Sequence, residues 1–127
     1  MAIWYSKTHQ WYNDATGEVG ITPYAAEQLG EISFVDVDGI DGATLEQGAE
    51  DSDPIDCTVE SSKAVGDIYS PVSGTVTAVN SDLMDEPEKI NEDAMAAWLF
   101  KIDASNFDAE KANLMDEAAY KAYCDSL

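Results

Sequence analysis

Pro54-Ile-Asp-Cys-Thr-Val-Glu-Ser-Ser-Lys-Ala-Val-Gly-Asp-Ile-Tyr-Ser-Pro-Val-Ser-Gly74 decides the fold of this chain. Ile55, Cys57 and Val59 alternate with Asp56, Thr58 and Glu60, the period of a strand with one buried face. A polar break runs from Glu60 to Lys63, and a second extended run follows from Asp67 to Val72. The pattern predicts a β-hairpin over residues 54–74 with Lys63 at its tip. By spacing alone this is an ordinary exposed lysine, since turns sit in water.

Upstream, Ile3, Trp4 and Tyr5 form one aromatic cluster and Trp11 and Tyr12 a second, predicting two strands or a strand and a bend. A turn at Asn13–Gly17 leads to a short strand, Glu18–Ile21. Thr22 and Pro23 open a helix as cap and first residue, and Gly30 ends it. Glu31–Val37 reads as strand. Residues 38–53 read mostly as loop, with Leu45 as the one large apolar anchor.

Downstream, Gly74–Asn80 reads as strand, and Ser81–Asp93 as a polar stretch with one helical turn around Leu83 and Met84. Trp98–Ile102 reads as a buried strand. Helices are expected at Asn106–Met115 and Asp116–Ser126, the second with Ala119, Tyr120, Tyr123 and Cys124 on one face. Short strands with frequent turns predict one mostly-β domain over residues 1–127, a β-sandwich or flattened barrel.

The chain has 127 residues and a formal net charge of -20, with six lysines and no arginine. Such a surface repels phosphate backbones and anionic lipid, so neither nucleic acid nor membrane is an expected partner. It suits a saline medium, and equally suits docking against basic surfaces. The first seven residues lack the pattern of a secretory signal, and cytoplasmic location is expected. Cys57 and Cys124 show no metal-site or redox-dithiol spacing; Cys57 reads as a small buried hydrophobe.

Catalytic constellations are scarce. His9 is the one histidine, and beside Trp11 it reads as structural. Asp36 with Asp38, and Asp51 with Asp53, read as solvated carboxylates or weak cation sites. The glycines form no nucleotide-binding pattern, and no metal site is expected.

Glu60-Ser61-Ser62-Lys63-Ala64, with Asp67 and the run Ser70-Pro71-Val72-Ser73-Gly74, resembles the lipoylation hairpin of the glycine cleavage system H-protein family. The opening Trp4–Trp11, the segment Val19–Ala25 with Gln28-Leu29-Gly30, and Asn91–Asp93 followed by Trp98–Ile102 are similar to that family in the same order. The resemblance implies a lipoyl-domain-like fold, a barrel-sandwich hybrid with a short helix in the N-terminal half and helices at the C-terminus. It implies lipoate joined by an amide to Lys63, within an acceptor hairpin of Glu60, Ser61, Ser62 and Ala64. Thr8, His9, Gln10, Gln28 and Asp67 are then the residues expected to face the arm or its cargo. A non-catalytic carrier is implied, modified by a lipoate ligase or lipoyl transferase.

The chain departs from the family at two of those positions. Gln10 stands where an acid is common, and Gln28 where a histidine is common. A neutral amide holds a cationic aminomethyl cargo less firmly than a carboxylate does. These departures tilt the expectation slightly toward the H-like lipoate-binding proteins of sulfur oxidation, whose partner is a heterodisulfide-reductase-like complex. The alternative is glycine cleavage, with glycine decarboxylase, aminomethyltransferase and dihydrolipoamide dehydrogenase as partners. A relay in lipoate transfer or redox regulation, or an unmodified interaction domain, is a further reading.

Overall fold

The computed structural model describes residues 2–48 and 52–127. Its strands are β1 (Ile3–Tyr5), β2 (Gln10–Asn13), β3 (Glu18–Ile21), β4 (Ile32–Asp36), β5 (Thr44–Leu45), β6 (Thr58–Ser61), β7 (Val65–Asp67), β8 (Gly74–Val79) and β9 (Phe100–Ala104). Helices α1 (Pro23–Leu29), α2 (Asp82–Asp85), α3 (Lys89–Glu92), α4 (Phe107–Glu110) and α5 (Glu117–Asp125) are short, and 3-10 turns lie at Asp38–Ile40 and Lys111–Asn113. A six-stranded sheet in the order β1-β2-β3-β9-β8-β5 and a three-stranded sheet in the order β4-β6-β7 make the mostly-β sandwich that the alternation predicts, with the lipoyl-domain-like form that the resemblance implies.

Inward residues of both sheets form one apolar cluster. Val19, Ile21, Val76, Phe100 and Ile102 come from the large sheet; Ile32, Val35 and Val59 come from the small one. Leu83 and Ile90, from α2 and α3, close it. Burial of such side chains drives the assembly, each worth about 1.5–3 kcal/mol relative to exposure. A second cluster joins Tyr5, Trp11 and Tyr120, and through it α5 packs on β1 and β2. Trp11 lies against Gly20, its partner on β3: a Cβ on Gly20 would stand 2.7 Å from the indole ring.

Helix α1 follows the cap rules. Thr22 Oγ1 accepts from the Ala25 amide at 3.2 Å, Pro23 opens the first turn, and Gly30 ends it with φ of 89°.

Several expectations shift. The Trp98–Ile102 strand begins only at Phe100, because the Trp98 amide turns back to the Ala96 carbonyl. The polar stretch 81–93 holds two helical turns, not one, anchored by buried Leu83 and Ile90 on either side of Pro87. In the loop after β4 the deep anchor is Ile40, 1% exposed, with Leu45 only half-buried on β5. The helix expected over Asn106–Met115 breaks up, and Met115 instead bridges Tyr5 in strand fashion. On α5, Ala119 is exposed, while Tyr120, Tyr123 and Cys124 face the protein.

Candidate functional site

Strands β6 and β7 pair Thr58 with Asp67, Val59 with Gly66 and Glu60 with Val65. The paired strands are shorter than expected: β6 leaves out Ile55 and Cys57, and the return strand runs from Val65 to Asp67, ending where the second extended run was expected to start. Glu60 and Ser61 belong to β6 and not to the turn. Ser62 and Lys63 form the two-residue loop, closed by the Ser61 amide donating to the Ala64 carbonyl at 2.9 Å. Neither loop residue has positive φ, so the loop is not built on the left-handed residues that two-residue hairpins favour. Ser61 supplies the substitute: its Oγ accepts from the amides of Lys63 at 3.3 Å and Ala64 at 3.2 Å. The strand alternation is thus set by the core, and the tip by one serine hydroxyl.

Ser62 and Lys63 are exposed. The Lys63 stem lies across the end of α1, where a Cβ on Gly30 would stand 2.9 Å from Lys63 Cε. Glycine at the end of α1 therefore serves twice, allowing positive φ and leaving room for the lysine. Neither ion pair among the described residues, Lys89 with Glu86 or Lys111 with Asp108, involves Lys63.

Beside the hairpin lies a cleft of about 340 Å³. Thr8, His9, Gln10, Gln28 and Asp67, drawn from three separate stretches of sequence, all line it, and Gly66 and Asp67 of β7 form part of its wall. Gln28 and Asp67 are exposed, whereas Gln10 is 1% exposed and lies in the floor. Its side-chain oxygen accepts from the Thr8 hydroxyl and from Ser6 Oγ, and its amide donates to Ser6 Oγ at 3.1 Å. Gln10 thus has its side-chain oxygen engaged by Ser6 and Thr8 while the residue lines the floor of the cleft.

His9 adopts a φ of 72°, uncommon for a residue other than glycine. The Tyr120 hydroxyl holds it, 2.7 Å from His9 Nδ1 and 2.7 Å from Thr22 Oγ1. Tyr24 lies against the His9 ring at 4.7 Å, tilted by 34°, and the Tyr120 ring stacks on Tyr5 at 4.7 Å and 8°. Burial raises the Tyr120 hydroxyl's pKa, and the Thr22 hydrogen bond partly opposes that rise. Tyr24, Leu29 and Tyr120, which position this cleft, were not singled out from sequence as site residues. The only signal was the helical spacing that put Tyr120 on the inner face of α5.

Cys57 is buried, and burial, followed by Asp36 and Asp56, pushes its thiol up to about 12. Both cysteines are free. Among the described residues no group of three His, Cys, Asp or Glu side chains is placed to hold a metal ion, and no helix is long and apolar enough to cross a membrane. Asp36 accepts from the Asp38 amide at 3.2 Å, a local turn contact. Of the second acidic pair, Asp51 lies outside the described residues.

The family profile described as glycine cleavage H-protein matches residues 3–127. A probable glycine cleavage system H protein of Pyrococcus furiosus is 43% identical over 98% of this chain and 91% of its own. The glycine cleavage system H protein of Klebsiella pneumoniae is 48% identical over 93% of this chain and 89% of its own. Among solved structures, the glycine cleavage system H protein of Mycobacterium marinum superimposes with a TM-score of 0.76 at 28% identity, covering 98% of this chain and 97% of that one. These relatives favour the glycine-cleavage alternative over the lean toward sulfur oxidation.

Proposed function

Since the chain belongs to the glycine cleavage H-protein family, we propose that it is a non-catalytic lipoyl carrier, modified on Lys63, that shuttles the aminomethyl group of glycine cleavage. One observation carries the reading. Lys63 projects from a hairpin whose return strand also walls the cleft that collects Thr8, His9, Gln10, Gln28 and Asp67. A modified side chain at that tip has both open water and a receptive groove within its sweep.

Lipoate, when bound, supplies a dithiolane that opens to thiols able to carry a group or take up electrons. The chain's own contribution is geometric. Ser61 fixes the loop, Gly30 leaves space for the stem, and the absence of an ion pair to Lys63 among the described residues leaves the amine available for acylation. Amide formation removes the lysine charge, as acetylation does. Tethering then raises the local concentration of the carried group at each partner enzyme in turn. Those partners are glycine decarboxylase, aminomethyltransferase and dihydrolipoamide dehydrogenase, with a lipoate ligase or lipoyl transferase upstream. Free cysteines and an acidic surface suit work in the cytoplasm.

Gln10 does not count against this reading. Its side-chain oxygen is held by Thr8 and Ser6, and the acidic residue lining the cleft, able to face a cationic aminomethyl cargo, is Asp67. Lipoylated protein incubated with glycine decarboxylase, pyridoxal phosphate and carbon-labelled glycine is expected to acquire the label on its arm. Asp67→Asn, first driven to full lipoylation by prolonged incubation, should retain the loaded arm less firmly than the wild type. Failure of the lipoylated protein to load from glycine, with loading of sulfur from a persulfide donor instead, would return the account to the sulfur-oxidation alternative.

A further inference from the structure

The small sheet presents an outward face next to the hairpin tip. Residues directly opposite one another on antiparallel strands share a face. Phe34 of β4 pairs with Glu60 of β6, which pairs with Val65 of β7. The next outward row is Asp36, Thr58 and Asp67. Between the rows, Val35 and Val59 point into the core. One row therefore reads apolar, acidic, apolar, and the other acidic, hydroxyl, acidic.

Phe34 is 47% exposed and Val65 63% exposed. Among the described residues the one other exposed large hydrophobic is Leu127, at the chain's end. A phenylalanine and a valine facing water on either side of one carboxylate, a single residue pair from the turn, contribute nothing to the core. Their placement is that of a contact surface with an apolar centre and an acidic rim.

We propose that the Phe34–Glu60–Val65 row, with Asp36 and Asp67 at its rim, is the docking surface for the acyl-transferring enzyme that modifies Lys63, and that the complementary face of that enzyme is an apolar notch rimmed by basic side chains. The proposal rests on the carrier reading. Reach selects this occupant over the others. Before modification the reacting nitrogen lies only four methylenes from the hairpin backbone, and its stem lies along Gly30. An enzyme delivering an acyl group there has to cover the tip and the strands beside it. After modification the arm extends outward by a fatty-acyl chain, and later partners reach its end without covering the row. Charge selects the chemistry of the partner. A chain of net charge -20 whose exposed apolar pair is surrounded by carboxylates is complemented by lysine and arginine.

The step served is an acyl transfer. The neutral Lys63 amine attacks the carbonyl carbon of lipoyl adenylate; the amide C–N bond forms and the C–O bond to phosphate breaks. AMP leaves, the amine's proton goes to solvent, and no electrons change hands.

The test compares two reactions of one double variant, Phe34→Ser with Val65→Ser, both at exposed positions. Lipoylation of the apo protein by a purified lipoate ligase with ATP and lipoate is followed by intact mass, and kcat/KM should fall about ten-fold, mainly through KM. The same variant, driven to full lipoylation by prolonged incubation, should be reduced by dihydrolipoamide dehydrogenase and NADH at the wild-type rate. Unchanged lipoylation kinetics overturn the proposal, as do equal losses in both reactions. A loss confined to the dehydrogenase step overturns it by assigning the row to that partner. Loss of a wild-type dimer in sedimentation, with lipoylation unaffected, overturns it by assigning the row to a second copy. If the wild-type chain gains no mass at all, the carrier reading itself has failed.

Discussion

Cys57 shows how far one side chain's position determines its chemistry. On the strand alternation it reads as a small hydrophobe, and the structure buries it with its thiol pushed up to about 12 from 9.0. Below pH 9 the thiol is protonated in both folded and unfolded chains, and stability does not depend on it. Between about pH 9 and about 12 the unfolded chain ionises and the folded one does not, so stability falls as pH rises, by roughly 4 kcal/mol if fully expressed. Buried Tyr5, Tyr12 and Tyr120, all raised, add to the fall with the same sign. Alkaline melts of wild type and Cys57→Ala are expected to diverge above pH 9, the variant losing less. In native protein at pH 8, a thiol reagent is expected to label Cys124 and leave Cys57 unlabelled until denaturant is added. Lys63 marks the limit of sequence reading at this scale: its exposure on a turn was legible from alternation, its role only from resemblance. Gln10 was legible as a cleft residue but not as a buried one, because its burial depends on Ser6 and Thr8 folding over it.

At the scale of elements, the hairpin and α5 differ in what sequence reveals. Strand alternation located the hairpin because the core sits on one side of β6. It misplaced the turn by two residues, because the turn depends on a serine side chain that no periodicity reports. Phe34 was read as one of a group of apolar strand residues. Only the pairing shows that it faces outward while Val35 faces inward. Helix α5 is docked by Tyr120, which stacks on Tyr5 and whose hydroxyl joins His9 and Thr22. The Tyr120 hydroxyl thus bridges Thr22 Oγ1 and His9 Nδ1, 2.7 Å from each. Tyr120→Phe keeps the stack and removes this chain of bonds. It is expected to cost about 1–2 kcal/mol in denaturant melts and to change the nitrogen-15 shifts of the His9 ring. Unchanged His9 ring shifts would show that Tyr120 is only a packing residue.

Across the whole molecule, charge and topology act separately. Two sheets closing on one apolar cluster set the fold, and the alternating strands made that architecture legible before any coordinate. Less legible were the short helices, whose sequences are polar and acidic and are held by single buried anchors such as Leu83 and Ile90. The net charge of -20 is balanced by little: the described residues hold two ion pairs, both exposed. Screening therefore relieves repulsion and sacrifices almost no attraction. The melting temperature at neutral pH is expected to rise by several degrees between 10 mM and 1 M sodium chloride. A flat or falling response would mean that the acidic surface is locally compensated. The central claim, that the fold presents Lys63 for lipoylation, is tested most directly by intact mass after co-expression with a lipoate ligase and lipoate. The account predicts the gain of one lipoyl group by the wild-type chain and none by Lys63→Arg. No gain by the wild type, or a gain that survives Lys63→Arg, would contradict it.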